Sequence, residues 1–170
     1  AYNFNLMQRD LIVQKKDKES MENLKNKYFS KAVELFNKKK TLAALNYFKK
    51  VYTLDNYHTP TNNYIDKINK SYSYYKKAKS LENSKQYIEA IKLYTQSTNL
   101  FPDSISRIRE IRQNLKYVIR NLEIKGITAY NKAKYAQCIQ IFEKLKVIDP
   151  NNNKVRLYLP RAKKRYTALK

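Results

Sequence analysis

The chain of 170 residues contains one glycine, four prolines, one cysteine and one histidine, and its formal net charge at pH 7 is +22. So few turn-forming residues exclude a sandwich or barrel of many short strands and favour helices. One cysteine and one histidine exclude an internal disulfide and a Cys/His zinc site built by this chain alone.

The positive charge is spread along the whole chain and is densest in residues 151–170, which carry seven basic residues and no acidic one. A spread excess is typical of a lysine- and asparagine-rich composition, whereas nucleic-acid-binding proteins often concentrate their charge in one stripe. An anionic partner remains the second interpretation. No stretch approaches the ~18 apolar residues of a membrane-spanning helix, so we expect no transmembrane segment.

A helical pattern occurs three times along the chain, at 36–56, 81–104 and 130–152. In each copy a small residue is followed four positions later by an aromatic residue and then by two residues at steps of three. The copies are Ala44/Phe48/Val51/Leu54, Ala90/Tyr94/Ser97/Leu100 and Cys138/Phe142/Leu145/Ile148. These steps follow one face of a helix.

A second helix fits upstream of each copy, with its own stripe at steps of four and three. The stripes are Tyr28/Ala32/Leu35, Tyr74/Ala78/Leu81 and Leu122/Gly126/Ala129. Small residues in both helices allow a close approach, so we interpret Gly126 as a packing residue rather than a hinge. Pro102 and Pro150 lie where a helix should stop.

The spacing predicts long first helices near 58–84 and 104–132 and short second helices near 41–54, 87–100 and 135–148. No proline or glycine interrupts 103–125. An apolar stripe runs through that segment, formed by Ile105, Ile108, Ile111, Leu115, Val118 and Leu122. Another helix should begin in the last twenty residues, with Pro160 in its first turn or at a kink.

Residues 25–56, 71–104 and 119–152 resemble the tetratricopeptide repeat family, a helix–turn–helix of 34 residues with small and aromatic residues at these offsets. The usual Trp is absent. Lys39, Lys85 and Ala133 replace the family's turn glycine, and three further lysines replace a customary Leu. These are Lys31, Lys77 and Lys125.

The resemblance implies an all-α helix–turn–helix solenoid, a right-handed superhelix with long first and short second helices. We predict one continuous domain in five segments. They are an N-terminal extension of the first helix (1–24), repeats at 25–56, 57–104 and 105–152, and a capping helix or the start of a fourth repeat at 153–170.

Catalytic residues are not expected. His58 lies in a predicted surface loop, and Cys138 occupies a packing column. A single glycine excludes a Gly-rich phosphate loop, and the acidic residues are scattered. We therefore predict a protein that is not an enzyme and that has no cofactor or metal.

In the family, the first helices line a concave face that holds a partner's peptide. The resemblance places Asn26, Phe29, Val33, Phe36, Asn37, Tyr72, Tyr75, Lys79, Asn83, Arg120, Ile127, Tyr130 and Asn131 there, together with Glu82 and Glu123. Two alternatives stay open for the apolar members: a partner covers them, or neighbouring helices do. The column Asn37/Asn83/Asn131 has two interpretations: a structural role at helix ends, in which the asparagine takes the left-handed conformation or caps carbonyls, or the binding of a peptide backbone.

The leading hypothesis is a scaffold that binds protein partners, acidic ones among them, within a larger assembly. The elongated repeats resemble subunits of bacterial envelope and flagellar-motor assemblies, which favours a periplasmic or envelope location over the cytoplasm. Nucleic-acid binding is the alternative, prompted by charge and sixteen tyrosines, yet Tyr28, Tyr74 and Tyr94 fall on packing columns. An anionic membrane contacted by 161–170 is a third. The oligomeric state stays open.

Overall fold

The computed structural model describes the backbone of residues 2–169 and the side chains of residues 8, 9 and 11–169. Every regular element in this part of the chain is an α-helix. The helices are α1 (Tyr2–Asn37), α2 (Thr41–Leu54), α3 (Thr59–Asn83), α4 (Tyr87–Ser97), α5 (Asp103–Asn114), α6 (Lys116–Asn131), α7 (Tyr135–Ile148) and α8 (Asn153–Ala168). The predicted all-α class is confirmed.

Residues 1–72 form one compact unit and residues 73–170 form a second. The first unit holds α1, α2 and the N-terminal part of α3, and α1 packs along α2. The second holds the rest of α3 and α4 to α8, in which α6 packs on α7, α7 on α8 and α4 on α5. Neighbouring helices therefore form helical hairpins.

The predicted stripe of each second helix forms the hairpin core. Ten of its members are completely buried: Ala44, Phe48, Val51, Ala90, Tyr94, Ser97, Cys138, Phe142, Leu145 and Ile148. On the first helices, Ala32 and Ala78 are also completely buried. At roughly 25 cal/mol per Å² of apolar surface, the large apolar side chains among them contribute about 1.5–3 kcal/mol each to folding.

Gly126 lies where α6 crosses α7. A Cβ atom added to it would lie 2.7 Å from Cε2 and Cζ of Phe142. Only a hydrogen atom fits beneath that buried ring, so the interpretation of Gly126 as a packing residue is confirmed.

The three hairpin turns share one backbone geometry. Lys39, Lys85 and Ala133 have φ angles of 59°, 59° and 56°. In the second turn, the amide of Lys85 donates to the Glu82 carbonyl at 2.9 Å, and that of Gln86 donates to the Leu81 carbonyl at 2.8 Å. The other turns repeat both bonds, which define the Schellman motif.

Glycine is the residue best suited to this left-handed position. The three residues that replace the family's turn glycine occupy it, so the register proposed from the sequence is correct at all three turns.

The predicted continuous helix over 104–132 is wrong. α5 ends at Asn114 and α6 begins at Lys116, while Leu115 has φ −90° and ψ 9°, outside the helical region. Ile105 and Val118 are also exposed rather than buried. Ser104 and Ile119 take their places on the inner face.

Tertiary contacts explain the break. Nε of Arg112 donates to the carbonyl oxygen of Ile148, and Leu115 packs in a cluster with Ile148, so the end of α5 is held at the last turn of α7. α6 then packs along the length of α7. The interruption at Leu115 lets the two segments make both contacts.

The position of Pro160 differs from one of the two predicted positions. It lies in the interior of α8 rather than in its first turn. Its ring is exposed. Because proline has no N–H, the carbonyl of Arg156, four residues earlier, has no helical amide partner, and Arg156 is exposed as well.

The predicted N-terminal extension belongs to α1, whose side chains at 8, 9 and 11–24 are exposed, and residue 1 lies outside the described residues. No helix in the described part of the chain combines the length and apolarity needed to cross a bilayer.

Candidate functional site

In the first unit, the aromatic residues predicted to bind a partner lie in a cluster of rings. The Phe29 ring centroid is 4.9 Å from that of His58 and 5.9 Å from that of Phe48. The Phe36 ring lies 5.0 Å from Tyr64, and Phe48 stacks on Tyr64 at 4.6 Å. Phe29 and Phe36 are half-buried, so α1 uses them to contact the start of α3.

The second unit shows the same arrangement. The Tyr75 ring stacks on Phe101 at 5.3 Å and meets Tyr94 at 5.8 Å. The Tyr130 ring lies 5.3 Å from Tyr158 at the start of α8 and 5.6 Å from Tyr135. Both predicted site tyrosines are half-buried.

The predicted site also contains two acidic residues, Glu82 and Glu123. Each stands where the other two copies of the repeat have an aromatic residue. Glu82 Oε2 accepts from the Tyr94 hydroxyl at 2.7 Å and from Arg107 Nε at 3.2 Å, and its Oε1 accepts from Arg107 Nη2. Burial, and then the hydrogen bond to Glu82, raise the pKa of Tyr94. Hydrogen bonds therefore join the end of α3 to α4 and α5.

Glu123 has an equivalent role one repeat later. Its Oε1 accepts a hydrogen bond of 2.8 Å from Nδ2 of Asn152. Oδ1 of Asn152 accepts from the amides of Lys154 and Val155, which makes this buried asparagine the N-cap of α8.

Two columns of the predicted site thus contact the next helix within each unit. Phe29, Tyr75 and Glu123 contact the loop before that helix or its beginning, and Phe36, Glu82 and Tyr130 contact its first turns. The half-buried state of Val33, Tyr72 and Ile127 is consistent with this packing. Of the two alternatives for the apolar members, the structure favours cover by neighbouring helices.

The polar members of the predicted site remain exposed. They are Asn26, Asn37, Lys79, Asn83, Arg120 and Asn131. Asn37, Asn83 and Asn131 are each the last residue of a first helix, and the left-handed residue follows two positions later. The proposed left-handed role of these asparagines is therefore wrong.

A capping role does not explain them either. In the part of the chain that the structure describes, none of the three side chains makes a hydrogen bond to another residue. Their amides are therefore available both to donate and to accept.

Neither residue considered for catalysis lies in a reactive setting. His58 Nδ1 lies 2.7 Å from the Thr61 hydroxyl, and its ring is half-buried against Phe29 in the loop before α3. Cys138 is buried, and burial raises the pKa of its thiol. Among the described residues, no three His, Cys, Asp or Glu side chains come together as a metal site would require.

The sequence pattern did not indicate some of the residues that make these contacts. Arg107 and Tyr158 lie outside the repeat columns, and only the neighbouring helix reveals their partners. Asn152 did carry a signal, because an asparagine just before a helical segment is a common N-cap.

Antiparallel hairpins with Schellman turns and small-on-small packing define a helical-hairpin repeat protein. Residues 71–104 match the family model described as tetratricopeptide repeat. The match covers one helical hairpin, and the all-helical architecture of neighbouring hairpins is consistent with a tetratricopeptide-like helical repeat. No curated protein matches the chain. Tetratricopeptide repeats generally mediate protein–protein interactions, and the fold is typically a non-catalytic scaffold.

Proposed function

We propose that the chain is a non-enzymatic scaffold that binds an extended segment of a partner protein through the exposed polar side chains of its first helices. The observation that carries this proposal is the asparagine at the end of each first helix, exposed and without a structural role in its own hairpin. An asparagine amide can pair with both the N–H and the C=O of a peptide backbone.

The charges on the same helices support a partner that is acidic or of mixed charge. In the second unit Lys79 and Arg120 are exposed on α3 and α6, the helices that end in Asn83 and Asn131. Rim charges of this kind mainly accelerate encounter and set the salt dependence of binding.

The test is capture of partners from an extract of the source cells by the immobilised chain. We compare the wild type with Asn83→Ala/Asn131→Ala and with Gln96→Ala/Gln140→Ala, a control that removes two exposed amides on the second helices α4 and α7. The proposal expects the asparagine variant alone to lose a partner, by threefold or more at constant thermal stability. Equal retention by all three proteins would reject it.

We further propose that the scaffold belongs to a larger assembly of the cell envelope. The support is the resemblance of its elongated first helices to subunits of such assemblies; α1 has 36 residues and α3 has 25. Fractionation of cells that produce the full-length protein tests this proposal, and recovery solely in the cytoplasmic fraction would contradict it.

A further inference from the structure

The last helix, α8, corresponds to α5 at a spacing of 48 residues, the same spacing that separates the buried columns of α4 and α7. Two pairs of equivalent residues are buried alike. Ser104 corresponds to Asn152, and Ile111 corresponds to Leu159. α8 therefore packs on α7 as α5 packs on α4.

Two other positions differ in a way that ends the apolar packing. Ile108 on α5 and Leu115 at its C-cap are buried in a cluster that includes Ile148 of α7, the next second helix. The residues 48 positions later are Arg156 and Lys163, and both are exposed. Cations there do not favour burial beneath a further apolar helix.

The exposed side of α8 carries a set of cations that we call the basic face. It consists of Lys154, Arg156, Arg161, Lys164 and Arg165. In the part of the chain that the structure describes, none of them forms an ion pair, whereas Lys163 donates to Glu143 at 2.5 Å. Residues 151–170 contain no acidic residue, so the charge of this face is not neutralised locally.

We propose that the basic face of α8 binds an acidic segment of a partner protein. This inference rests on the proposed scaffold function and adds a second contact surface with a defined chemistry. Arginine guanidinium groups suit it because they bind carboxylates through two parallel hydrogen bonds. Leu157, 42% exposed among the cations, offers one apolar contact.

Other occupants fit this face less well. A second copy of the chain would bring another net charge of +22 against it. A bilayer binds helices that offer a broad apolar face, but Val155, Leu159 and Ala162 are buried against the rest of the second unit. Unpaired bases need several exposed rings for stacking, but of the two tyrosines of α8 the Tyr158 ring stacks on Phe142, and Tyr166 is only 38% exposed.

The experiment measures binding of the full chain to a fluorescent 16-residue peptide that has Asp and Glu along one helical face and one central Leu. Fluorescence anisotropy is recorded near physiological salt. One variant is Arg156→Gln/Arg161→Gln/Arg165→Gln, and its control is Lys49→Gln/Lys144→Gln/Lys146→Gln, which removes the same charge at exposed positions of the second helices. Circular dichroism verifies that both variants fold.

The expected result is a loss of affinity of roughly tenfold for the arginine variant and of about twofold or less for the control, since each exposed ion pair contributes modestly. Equal losses in both variants, or no binding of the peptide, would overturn the proposal. So would a DNA duplex or phosphatidylserine vesicles binding more tightly than the peptide through the same arginines.

The outcome is separable from that of the proposed scaffold function. If the peptide result fails while Asn83→Ala/Asn131→Ala still impairs partner capture, only the α8 proposal is rejected. If the peptide binds as expected while that asparagine variant has no effect, the first-helix surface is rejected.

Discussion

Three residues hold a left-handed backbone that their side chains disfavour. Lys39, Lys85 and Ala133 each close a hairpin at a φ near +60°. A left-handed residue with a Cβ costs about 1–2 kcal/mol relative to the right-handed form. The chain tolerates this cost at every turn because the two Schellman hydrogen bonds and the hairpin core fix the geometry.

Relief of that strain gives a prediction. Lys85→Gly should raise the free energy of unfolding by about 0.5–1 kcal/mol, because the gain in the turn exceeds the entropy that glycine adds to the unfolded chain. Urea denaturation measures the change. The control Lys79→Gly, at an exposed position inside α3, should lower stability by about 1 kcal/mol. Destabilisation of similar size in both variants would refute the strain argument.

At Gly126 the effect on stability is reversed, because there glycine is the residue that fits. Gly126→Ala should destabilise the chain by about 1–3 kcal/mol despite the better helix propensity of alanine, because the new methyl group overlaps the buried Phe142 ring. Thermal and urea unfolding measure the loss. Phe142→Leu in the same chain should recover part of it by making room, and a purely additive double variant would contradict the steric explanation.

At the scale of helices, the ends of α3, α4 and α5 are joined by one hydrogen-bond network. Glu82 accepts from Tyr94 and from Arg107, and Arg107 also donates to Glu110 at 2.6 Å. Tyr94 is completely buried, so its hydroxyl depends on Glu82 for a partner. Removal of one member of such a network leaves the others unsatisfied.

This network predicts a loss of stability in alkali. The pKa of Tyr94 is raised in the folded chain, while in the unfolded chain it is about 10. The stabilisation is therefore complete below pH 10 and is lost as the pH rises through the folded-state pKa. Urea unfolding from pH 8 to pH 11 should show a smaller decline for Tyr94→Phe than for the wild type.

The same variant should be less stable at neutral pH by about 1.5–3 kcal/mol, the usual contribution of a hydrogen bond to a charged group. The two proteins differ only at this residue, so the comparison isolates Tyr94. Parallel pH profiles for the two proteins would count against the network.

The repeat pattern shows what a sequence can predict at this scale. Small and aromatic residues at steps of four and three located the second helices, since a buried stripe is a property of one helix. The break at Leu115 has no local signal, because residues 103–125 contain no proline or glycine and the cause is contact with α7. Phe36 and Tyr130 looked like surface residues for a similar reason: their ring partners, Tyr64 and Tyr158, lie on another helix.

At the scale of the whole molecule, repetition of the hairpin has two structural effects. One hairpin leaves an apolar face open, and the next helix in the chain covers it, as α3 covers Phe29 and α8 covers Tyr130. Each copy also exposes the same polar positions on its first helix, including the terminal asparagine. The aromatic positions thus pack against neighbouring helices, and we propose that the exposed polar positions bind a partner.

The division into packing and binding positions predicts the effect of ring removal. Phe36→Ala and Tyr75→Ala should each lower the free energy of unfolding by about 2 kcal/mol or more, because each half-buried ring packs against others. Melting curves test this. Wild-type stability together with loss of a partner would instead mean that these rings form the binding surface.

We propose that the exposed faces of the first helices bind the partner. The most direct test places a photo-activated cross-linking amino acid at Asn83, on a first helix, and in a second protein at Gln96, on the exposed side of α4. After illumination in cells, we predict that a partner protein is cross-linked from position 83 and not from position 96. A partner cross-linked from position 96 alone would contradict the account.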